Sequence, residues 1–158
     1  MTQLLSKSSL CFEGVILGTD HAGFHLKEQL KSYLQQNDIH IEDVGCFTEA
    51  SVDYPNYGTL VAEALQKKQN YMGLLCCGSG IGVSIAANRY SHVRAALCYD
   101  NHLAYLARQH NNANVLCLGA RFTAESYAKQ ILETFLTTPF DAGHHSKRVE
   151  QLAHLLPV

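Results

Sequence analysis

The stretch Met72-Gly-Leu-Leu-Cys-Cys-Gly-Ser-Gly-Ile-Gly-Val-Ser-Ile-Ala-Ala-Asn88 has the pattern of a buried apolar strand that runs into a glycine-rich turn and then a helix. Gly78, Gly80 and Gly82 allow positive φ angles and a close approach of backbone N–H groups to a ligand. The first turn of the helix adds unpaired N–H donors and the positive end of the helix dipole. The segment therefore predicts a strand–turn–helix unit of an α/β fold with an anion site at the turn.

Cys77 stands where this strand meets the turn. A thiol beside a helix N-terminus ionises more readily than a free thiol, whose pKa is about 8.5, so a thiolate base or nucleophile fits the position. The structural alternative is that the glycines pack the turn and that the cysteine is a small buried hydrophobe. The local sequence favours the functional interpretation and leaves the structural one open.

Length and composition limit the class of protein. The chain has 158 residues, 47% of them apolar, and a net charge of −2, which predicts one globular domain without the basic surface that nucleic acids or anionic membranes require. No apolar run approaches the roughly 20 residues of a membrane span, and residues 1–12 lack a secretion signal and are expected to be a poorly ordered extension. The six cysteines form no Cys-x-x-Cys pair. We expect reduced thiols and a cytoplasmic protein.

Short apolar runs alternate with helical patterns along the chain. This alternation predicts a parallel α/β sheet whose ligand site lies beyond the carboxyl ends of the strands. Asp100 and Thr123 are candidate helix caps, and a last helix is expected after Gly143. The five predicted strands are Val15–Gly18, Ile39–Val44, Gly73–Cys76, Ala95–Cys98 and Val115–Leu118.

Polar loops follow the predicted carboxyl ends, so most candidate site residues share one rim of the sheet. The segment Arg108–Asn114 precedes the last strand and is expected at the opposite end. A second subunit that places His110 and Asn111 over the glycine turn would reconcile the two locations, which predicts a two-fold dimer. The loops on the common rim are Thr19–Gly23, Gly45–Tyr57, Cys77–Gly82, Tyr99–His102 and Gly119–Arg121.

Six motifs follow one another over nearly the whole chain, namely Gly18-Thr-Asp-His-Ala-Gly-Phe-His-Leu-Lys27, Asp53-Tyr-Pro55, Cys77–Asn88, Arg108-Gln-His-Asn-Asn-Ala-Asn-Val115, Gly119-Ala-Arg121 and Gly143-His-His-Ser-Lys-Arg-Val-Glu150. Together they resemble type B ribose-5-phosphate isomerases, a family that also holds galactose-6-phosphate and allose-6-phosphate isomerases. The resemblance implies a Rossmann-like three-layer sandwich with a five-stranded parallel sheet. It also implies a homodimer with two shared sites, paired into tetramers in some members, and no metal or organic cofactor.

The activity that the resemblance implies is the interconversion of ribose 5-phosphate and ribulose 5-phosphate through a cis-enediol, a step of the pentose phosphate pathway. A related six-carbon sugar phosphate, allose or galactose 6-phosphate, is the alternative substrate. By resemblance His110, with Asp20, opens the sugar ring, and Cys77 moves the proton between C2 and C1. Another branch of the family uses a glutamate as this base, at the position of Val83 in this chain. The valine side chain cannot take a proton. Ser79 and the loop N–H groups fit an oxyanion hole.

Two arginines, Arg121 and Arg148, match phosphate ligands of the family. Without the resemblance, solvated surface charges would be the favoured interpretation of both, since charged residues are mostly exposed. Many members carry an arginine where this chain has His144, four residues before Arg148. Histidine, with a reference pKa near 6.5, carries charge only part of the time at neutral pH. The full set expected to bind substrate is Asp20, His21, Gly78, Ser79, Gly80, Ile81, Gly82, Asn111, Arg121, His144 and Arg148.

Three other functions compete for the same residues. His21 and His25 could begin a metal site, but no third ligand follows at a recognisable spacing. A hydrolase elbow requires glycine two residues before its serine, where Ser79 has Cys77. A non-catalytic nucleotide-binding module could use the glycines, but their spacing lacks the final step of Gly-x-Gly-x-x-Gly. We expect Tyr54 to form a pocket wall.

Overall fold

A computed structural model describes residues 5–155. Its centre is a five-stranded parallel sheet in the order β2-β1-β3-β5-β4. The strands are β1 (Gly14–Thr19), β2 (His40–Asp43), β3 (Tyr71–Cys77), β4 (Ala95–Leu97) and β5 (Val115–Gly119).

Six α-helices connect and flank these strands. A short 3-10 turn, His21–Gly23, leads from β1 into the first helix. The helices are α1 (Phe24–Gln36), α2 (Tyr54–Lys67), α3 (Ile81–Ala87), α4 (Asn101–Asn111), α5 (Glu125–Thr137) and α6 (His144–Ala153).

Helices cover both faces of the sheet, so the three central strands β1, β3 and β5 are buried along their length, apart from the half-buried Tyr71 at the start of β3. One apolar cluster joins the sheet to α1, α4 and α5, with Leu30 and Phe135 fully buried in it. The other joins it to α2 and α3, with Val61 and Val83 fully buried. Strands that are covered on both faces need apolar residues at successive positions, which explains the uniform runs in the sequence.

The predicted α/β fold is confirmed, and all five predicted strands exist, with ends that lie within two residues of the predicted ends. The Asp100 cap is also confirmed, because its carboxylate accepts a hydrogen bond from the Leu103 N–H at 2.8 Å. The predicted Thr123 cap is wrong. The helix begins at Glu125 with Ala124 at the cap position, and the Thr123 hydroxyl is buried without a hydrogen-bond partner among the described residues.

The N-terminal segment contacts the domain in its described part. The Leu5 N–H donates to the Asn37 side chain at 2.8 Å, and Phe12 stacks on Phe135 with ring centroids 6.3 Å apart. These contacts attach Leu5 and Phe12 to the rest of the domain. Residues 1–4 lie outside the described part of the chain. Within residues 5–155, the helices are too short or too polar to cross a bilayer.

Candidate active site

The glycine turn lies at the carboxyl edge of the sheet, between the end of β3 at Cys77 and the start of α3 at Ile81. Gly80 has a φ of 78°, which is in the left-handed region. A Cβ atom at this position would also come within 2.5 Å of the Leu97 side chain. Both the backbone angle and the space therefore require glycine here.

The Cys77 thiol lies inside this turn and is only 4% exposed. The backbone N–H of Gly80 donates to its Sγ at 3.0 Å. The Ser79 hydroxyl accepts from the Ile81 N–H at 3.2 Å and so caps the start of α3. A sulfur that accepts an N–H bond at a helix start is in the setting where a thiolate is stabilised.

Three other cysteines have a different environment. Burial raises the pKa of Cys76 to about 12, with a smaller contribution from the neighbouring Cys77. Burial likewise raises the pKa of Cys98 to about 12, and it raises the pKa of Cys117. These three thiols stay protonated near neutral pH and serve as core residues, whereas Cys77 lies at the glycine turn with an N–H donor on its sulfur.

Arg121 is held directly against the glycine turn. Its backbone N–H donates to the Gly78 carbonyl at 3.0 Å, and a Cβ added at Gly78 would lie 2.7 Å from the Arg121 guanidinium. The guanidinium therefore lies over Gly78, next to Cys77. Among residues 5–155 no carboxylate forms an ion pair with it, so its charge is available to an anion.

Asp20 and His21 reach the same edge because β1 pairs with β3, with Thr19 opposite Cys76. The Asp20 carboxylate is buried and accepts a hydrogen bond from the Gly23 N–H at 3.0 Å. Nδ1 of His21 lies 3.2 Å from the nitrogen of Val52 and 3.3 Å from its carbonyl oxygen. The loop after β2 therefore fixes the His21 ring through Nδ1 and leaves Nε2 for a ligand.

A buried charge network supports that loop. Lys27, which is fully buried, donates to both Asp43 oxygens at 3.0 and 2.9 Å and to the Cys46 carbonyl at 2.9 Å. Burial on its own raises the pKa of Asp43, but hydrogen bonds from Lys31, Lys27 and the Gly45 N–H outweigh it and hold the pKa below its usual value. Asp43 is therefore a carboxylate at neutral pH.

The remaining predicted residues form a second group at the amino edge of the sheet. His110 and Asn111 end α4, and His144 begins α6 with Arg148 one turn later. The His110 ring stacks on the His145 ring with centroids 4.3 Å apart, and the centroids of the His145 and His144 rings are 3.9 Å apart.

Three neighbouring imidazoles share this second group, and their charges affect one another. Burial lowers the pKa of His145, and the charges of His144 and His110 lower it further, against a smaller opposite effect of Asp141. A histidine whose pKa lies below 6.5 is neutral at pH 7. His145 can therefore pack between two other imidazoles as a neutral ring.

The two groups lie at opposite ends of β5, as the sequence predicted. His110 and Asn111 precede the first residue of this strand, Val115, whereas Arg121 follows its last residue, Gly119. Four residue steps of a strand span about 13 Å. A single copy of the chain therefore does not bring Cys77 and His110 to the same reacting atoms.

Tyr54 and His25 also have defined positions in the structure. Tyr54 forms a wall of the turn, because a Cβ at Gly82 would lie 2.7 Å from its ring. His25 pairs with Glu49 at 2.9 Å instead of joining His21. Within residues 5–155 no group of three His, Cys, Asp or Glu side chains has a geometry that could hold a metal ion.

Two residues near the site were missed by the sequence interpretation. The sequence predicts no role for His145, which lies within one of the six motifs, or for Tyr99, which lies on the predicted rim. The Tyr99 hydroxyl donates to the Ser79 carbonyl at 2.9 Å. No local sequence signal marks either contact, because both join residues that are distant along the chain.

The fold and the first group define a class, namely Rossmann-like α/β domains that offer a glycine turn, a thiol and an unpaired guanidinium to a small anionic ligand. Within that class, the chain belongs to the ribose/galactose isomerase family, whose family model matches residues 15–152.

Individual relatives agree with this assignment. Ribose-5-phosphate isomerase B of Escherichia coli K12 is 37% identical over 138 residues, which cover 87% of this chain and 93% of the relative. The crystal structure of a ribose 5-phosphate isomerase from Thermotoga maritima superposes with a TM-score of 0.88 at 45% identity, over 90% of this chain and 98% of that one. Ribose-5-phosphate isomerase B from Mycoplasma genitalium with bound ribulose-5-phosphate gives 0.86 at 37% identity, over 89% and 94%.

Proposed function

We propose that this protein is an aldose–ketose isomerase that interconverts ribose 5-phosphate and ribulose 5-phosphate through a cis-enediol. The observation that carries the proposal is the Cys77 thiol, held by the Gly80 N–H beside the unpaired guanidinium of Arg121. The family and the relatives named as ribose-5-phosphate isomerases support the same reaction. The reaction moves one proton from C2 to C1 and another from the C2 hydroxyl to O1, and it needs no external oxidant or reductant.

In this mechanism Cys77 acts as the base that serves both carbons. Its thiolate takes the proton from C2 of the open-chain aldose, and the resulting thiol returns a proton to C1 of the enediol, while a second proton passes from the C2 hydroxyl to O1. Val83, at the position where other members place a carboxylate, is fully buried and has no proton-accepting group. This leaves Cys77 as the base at the carboxyl edge.

Charge that develops on the enediol oxygens needs donors that are already in place. The Ser79 hydroxyl and the N–H groups of the first turn of α3 supply them at the glycine turn. A single donor of this type contributes about 3–4 kcal/mol to transition-state stabilisation in well-studied enzymes. Asp20 and His21 flank the same space from β1 and orient the sugar.

Ring opening requires an acid–base group, which we assign to His110 of a second copy of the chain, with Asp20 of the first copy assisting. Asn111 then contacts the sugar, and His144 and Arg148 of the second copy join Arg121 of the first at the phosphate. The separation of the two groups along β5 favours this arrangement. The separation therefore favours a homodimer with two shared sites, or a tetramer formed by two such dimers, and we place the proposed enzyme in the cytoplasm.

The reaction itself is tested by assaying ribose 5-phosphate, allose 6-phosphate and galactose 6-phosphate side by side without added metal or nucleotide. We expect ribose 5-phosphate to have the highest kcat/KM. Preference for either hexose phosphate would move the assignment within the family, and dependence on a nucleotide would contradict it.

The role of Cys77 is tested by Cys77→Ala. We expect the loss of nearly all turnover with an unchanged fold, because alanine fits the space of the thiol but accepts no proton. Serine should restore little, since a hydroxyl is a much weaker acid. If the alanine variant keeps more than a few per cent of the kcat, another residue is the base.

The shared site has a separate test in subunit mixing. Cys77→Ala and His110→Ala proteins should each be inactive, and their mixture should regain activity after subunit exchange, because one site of each mixed dimer is then intact. A Cys77→Ala sample mixed with the Cys77→Ala/His110→Ala double variant is the matched control and should stay inactive. Absence of recovery after exchange verified by mass spectrometry would contradict the shared site.

A further inference from the structure

Tyr99 follows β4 and reaches across to the glycine turn. Its hydroxyl donates to the carbonyl oxygen of Ser79 at 2.9 Å. The ring meets Phe122 edge to face, with centroids 6.5 Å apart and planes at 88°, and 39% of the side chain is exposed. The hydroxyl is therefore committed to the turn while the ring is oriented by a neighbouring aromatic residue.

The Ser79 carbonyl and the Gly80 N–H belong to one peptide group. That group is planar, and its C=O and N–H point in opposite directions. The carbonyl end accepts from Tyr99, and the N–H end donates to Cys77 Sγ at 3.0 Å. A single rigid plane thus connects the tyrosine hydroxyl with the thiol.

The surroundings leave this plane dependent on its hydrogen bonds. Gly80 adopts a φ of 78°, which makes the backbone on one side of the plane a flexible glycine joint. On the other side, Gly119 makes room for the carbonyl, because a Cβ there would lie 2.5 Å from the Ser79 oxygen. The Tyr99 hydroxyl is the side-chain donor that the described residues place on that oxygen.

We propose that Tyr99 is a positioning residue for proton transfer, which orients the Ser79–Gly80 peptide so that its N–H stays directed at the Cys77 sulfur. Donation into the carbonyl also polarises the amide and strengthens its N–H as a donor. A donated hydrogen bond stabilises the thiolate relative to the thiol. The inference deepens the proposed function, since it rests on Cys77 as the base.

The test is Tyr99→Phe, which removes the hydroxyl and keeps the ring against Phe122. We expect kcat for ribose 5-phosphate to fall about 3- to 10-fold with KM nearly unchanged, the effect of losing one net hydrogen bond. The second readout is the rate at which iodoacetamide alkylates Cys77 between pH 6 and 9, followed by mass spectrometry of the Cys77 peptide. Alkylation should slow about 3- to 10-fold at pH 7 and approach the wild-type rate at high pH.

Tyr127→Phe is the matched control, because it deletes a neighbouring hydroxyl that contacts the Asn101 N–H at 3.4 Å and not the glycine turn. It should leave both readouts unchanged. Tyr99→Leu, which deletes the ring as well, should reproduce the alkylation profile of Tyr99→Phe.

The proposal is overturned if Tyr99→Phe has the wild-type alkylation profile, even when its kcat or denaturation midpoint falls, because a purely structural role would produce that result. Failure of the proposed function gives a different outcome. A wild-type protein that does not turn over ribose 5-phosphate would contradict the isomerase assignment, while the alkylation rates would still decide the link between Tyr99 and the thiol.

Discussion

Lys27 lies on α1, and its ammonium is beside Asp43, the last residue of β2. Replacing Lys27 by methionine removes this fully buried positive charge and keeps most of the side-chain volume. The Lys27 ammonium contacts both Asp43 oxygens and the Cys46 carbonyl at 2.9–3.0 Å. In the variant Asp43 keeps Lys31 at 2.7 Å and the Gly45 N–H at 3.0 Å, whereas the structure records no other donor for the Cys46 carbonyl. The perturbation therefore weakens one buried carboxylate, removes the 2.9 Å ion pair of Lys27 with the part-exposed Glu28, and leaves one carbonyl oxygen without a partner among residues 5–155.

The size of the stability loss follows from the contacts that Asp43 keeps in the variant. Removing one partner of a buried ion pair typically costs about 3–5 kcal/mol. Because Lys31 still neutralises Asp43, we expect Lys27→Met to lower the free energy of unfolding by about 3 kcal/mol, at the lower end of that range. Lys31→Met is the control at the same carboxylate. The Lys31 side chain is 26% exposed, so its loss should cost about 1 kcal/mol or less.

Urea denaturation followed by circular dichroism measures both variants, with the m-value compared to that of the wild type. The double variant Lys27→Met/Asp43→Asn should recover part of the loss, because it removes the buried negative charge that the single variant leaves with one of its two ammonium partners. A Lys27→Met loss below about 1 kcal/mol, or one equal to that of Lys31→Met, would refute the argument that burial of the ammonium makes this pair stabilising.

The loss should also depend on pH with a defined sign. The pKa of Asp43 lies below its usual value in the folded chain, so the stabilisation by its ion pairs is fully present above the pKa of the unfolded carboxyl, 3.8. It is lost as the pH falls through the lower folded pKa. The difference between wild type and Lys27→Met should therefore be constant from pH 7 to about 5 and shrink below about pH 4. A difference that grows in acid would contradict this assignment.

Two further predictions concern helix starts. His144→Arg should lower KM for ribose 5-phosphate at pH 8, flatten the dependence of KM on pH between 6 and 8 and leave kcat nearly unchanged, because arginine stays charged throughout this range and its phosphate contact is equal in ground and transition states. Unchanged KM across this range would remove His144 from the phosphate site. Asp100→Ala should lower the free energy of unfolding by about 1 kcal/mol, since it deletes the cap on the Leu103 N–H, and no change in the urea midpoint would show that the cap contributes nothing measurable.

The sequence by itself determined the layers and the edge of the sheet that carries the glycine turn. Uniform apolar runs such as Val115–Leu118 identify strands covered on both faces, and the glycine spacing after Cys77 marks the strand–turn–helix unit. Both are local patterns, imposed by burial and by backbone sterics on neighbouring residues. Topology alone then placed His110 at the opposite edge, because a residue before a parallel strand cannot lie beyond its carboxyl end.

Only the tertiary structure decided which distant groups touch. The Thr123 hydroxyl matches a capping pattern, yet its helix begins one residue too late for it to serve as the cap. Tyr99 on Ser79, His145 between two imidazoles and Lys27 on the Cys46 carbonyl depend on how separate elements pack. Periodicity and motif spacing report the environment of a residue along its own element, whereas these contacts are fixed by close packing between elements, which a local pattern does not encode.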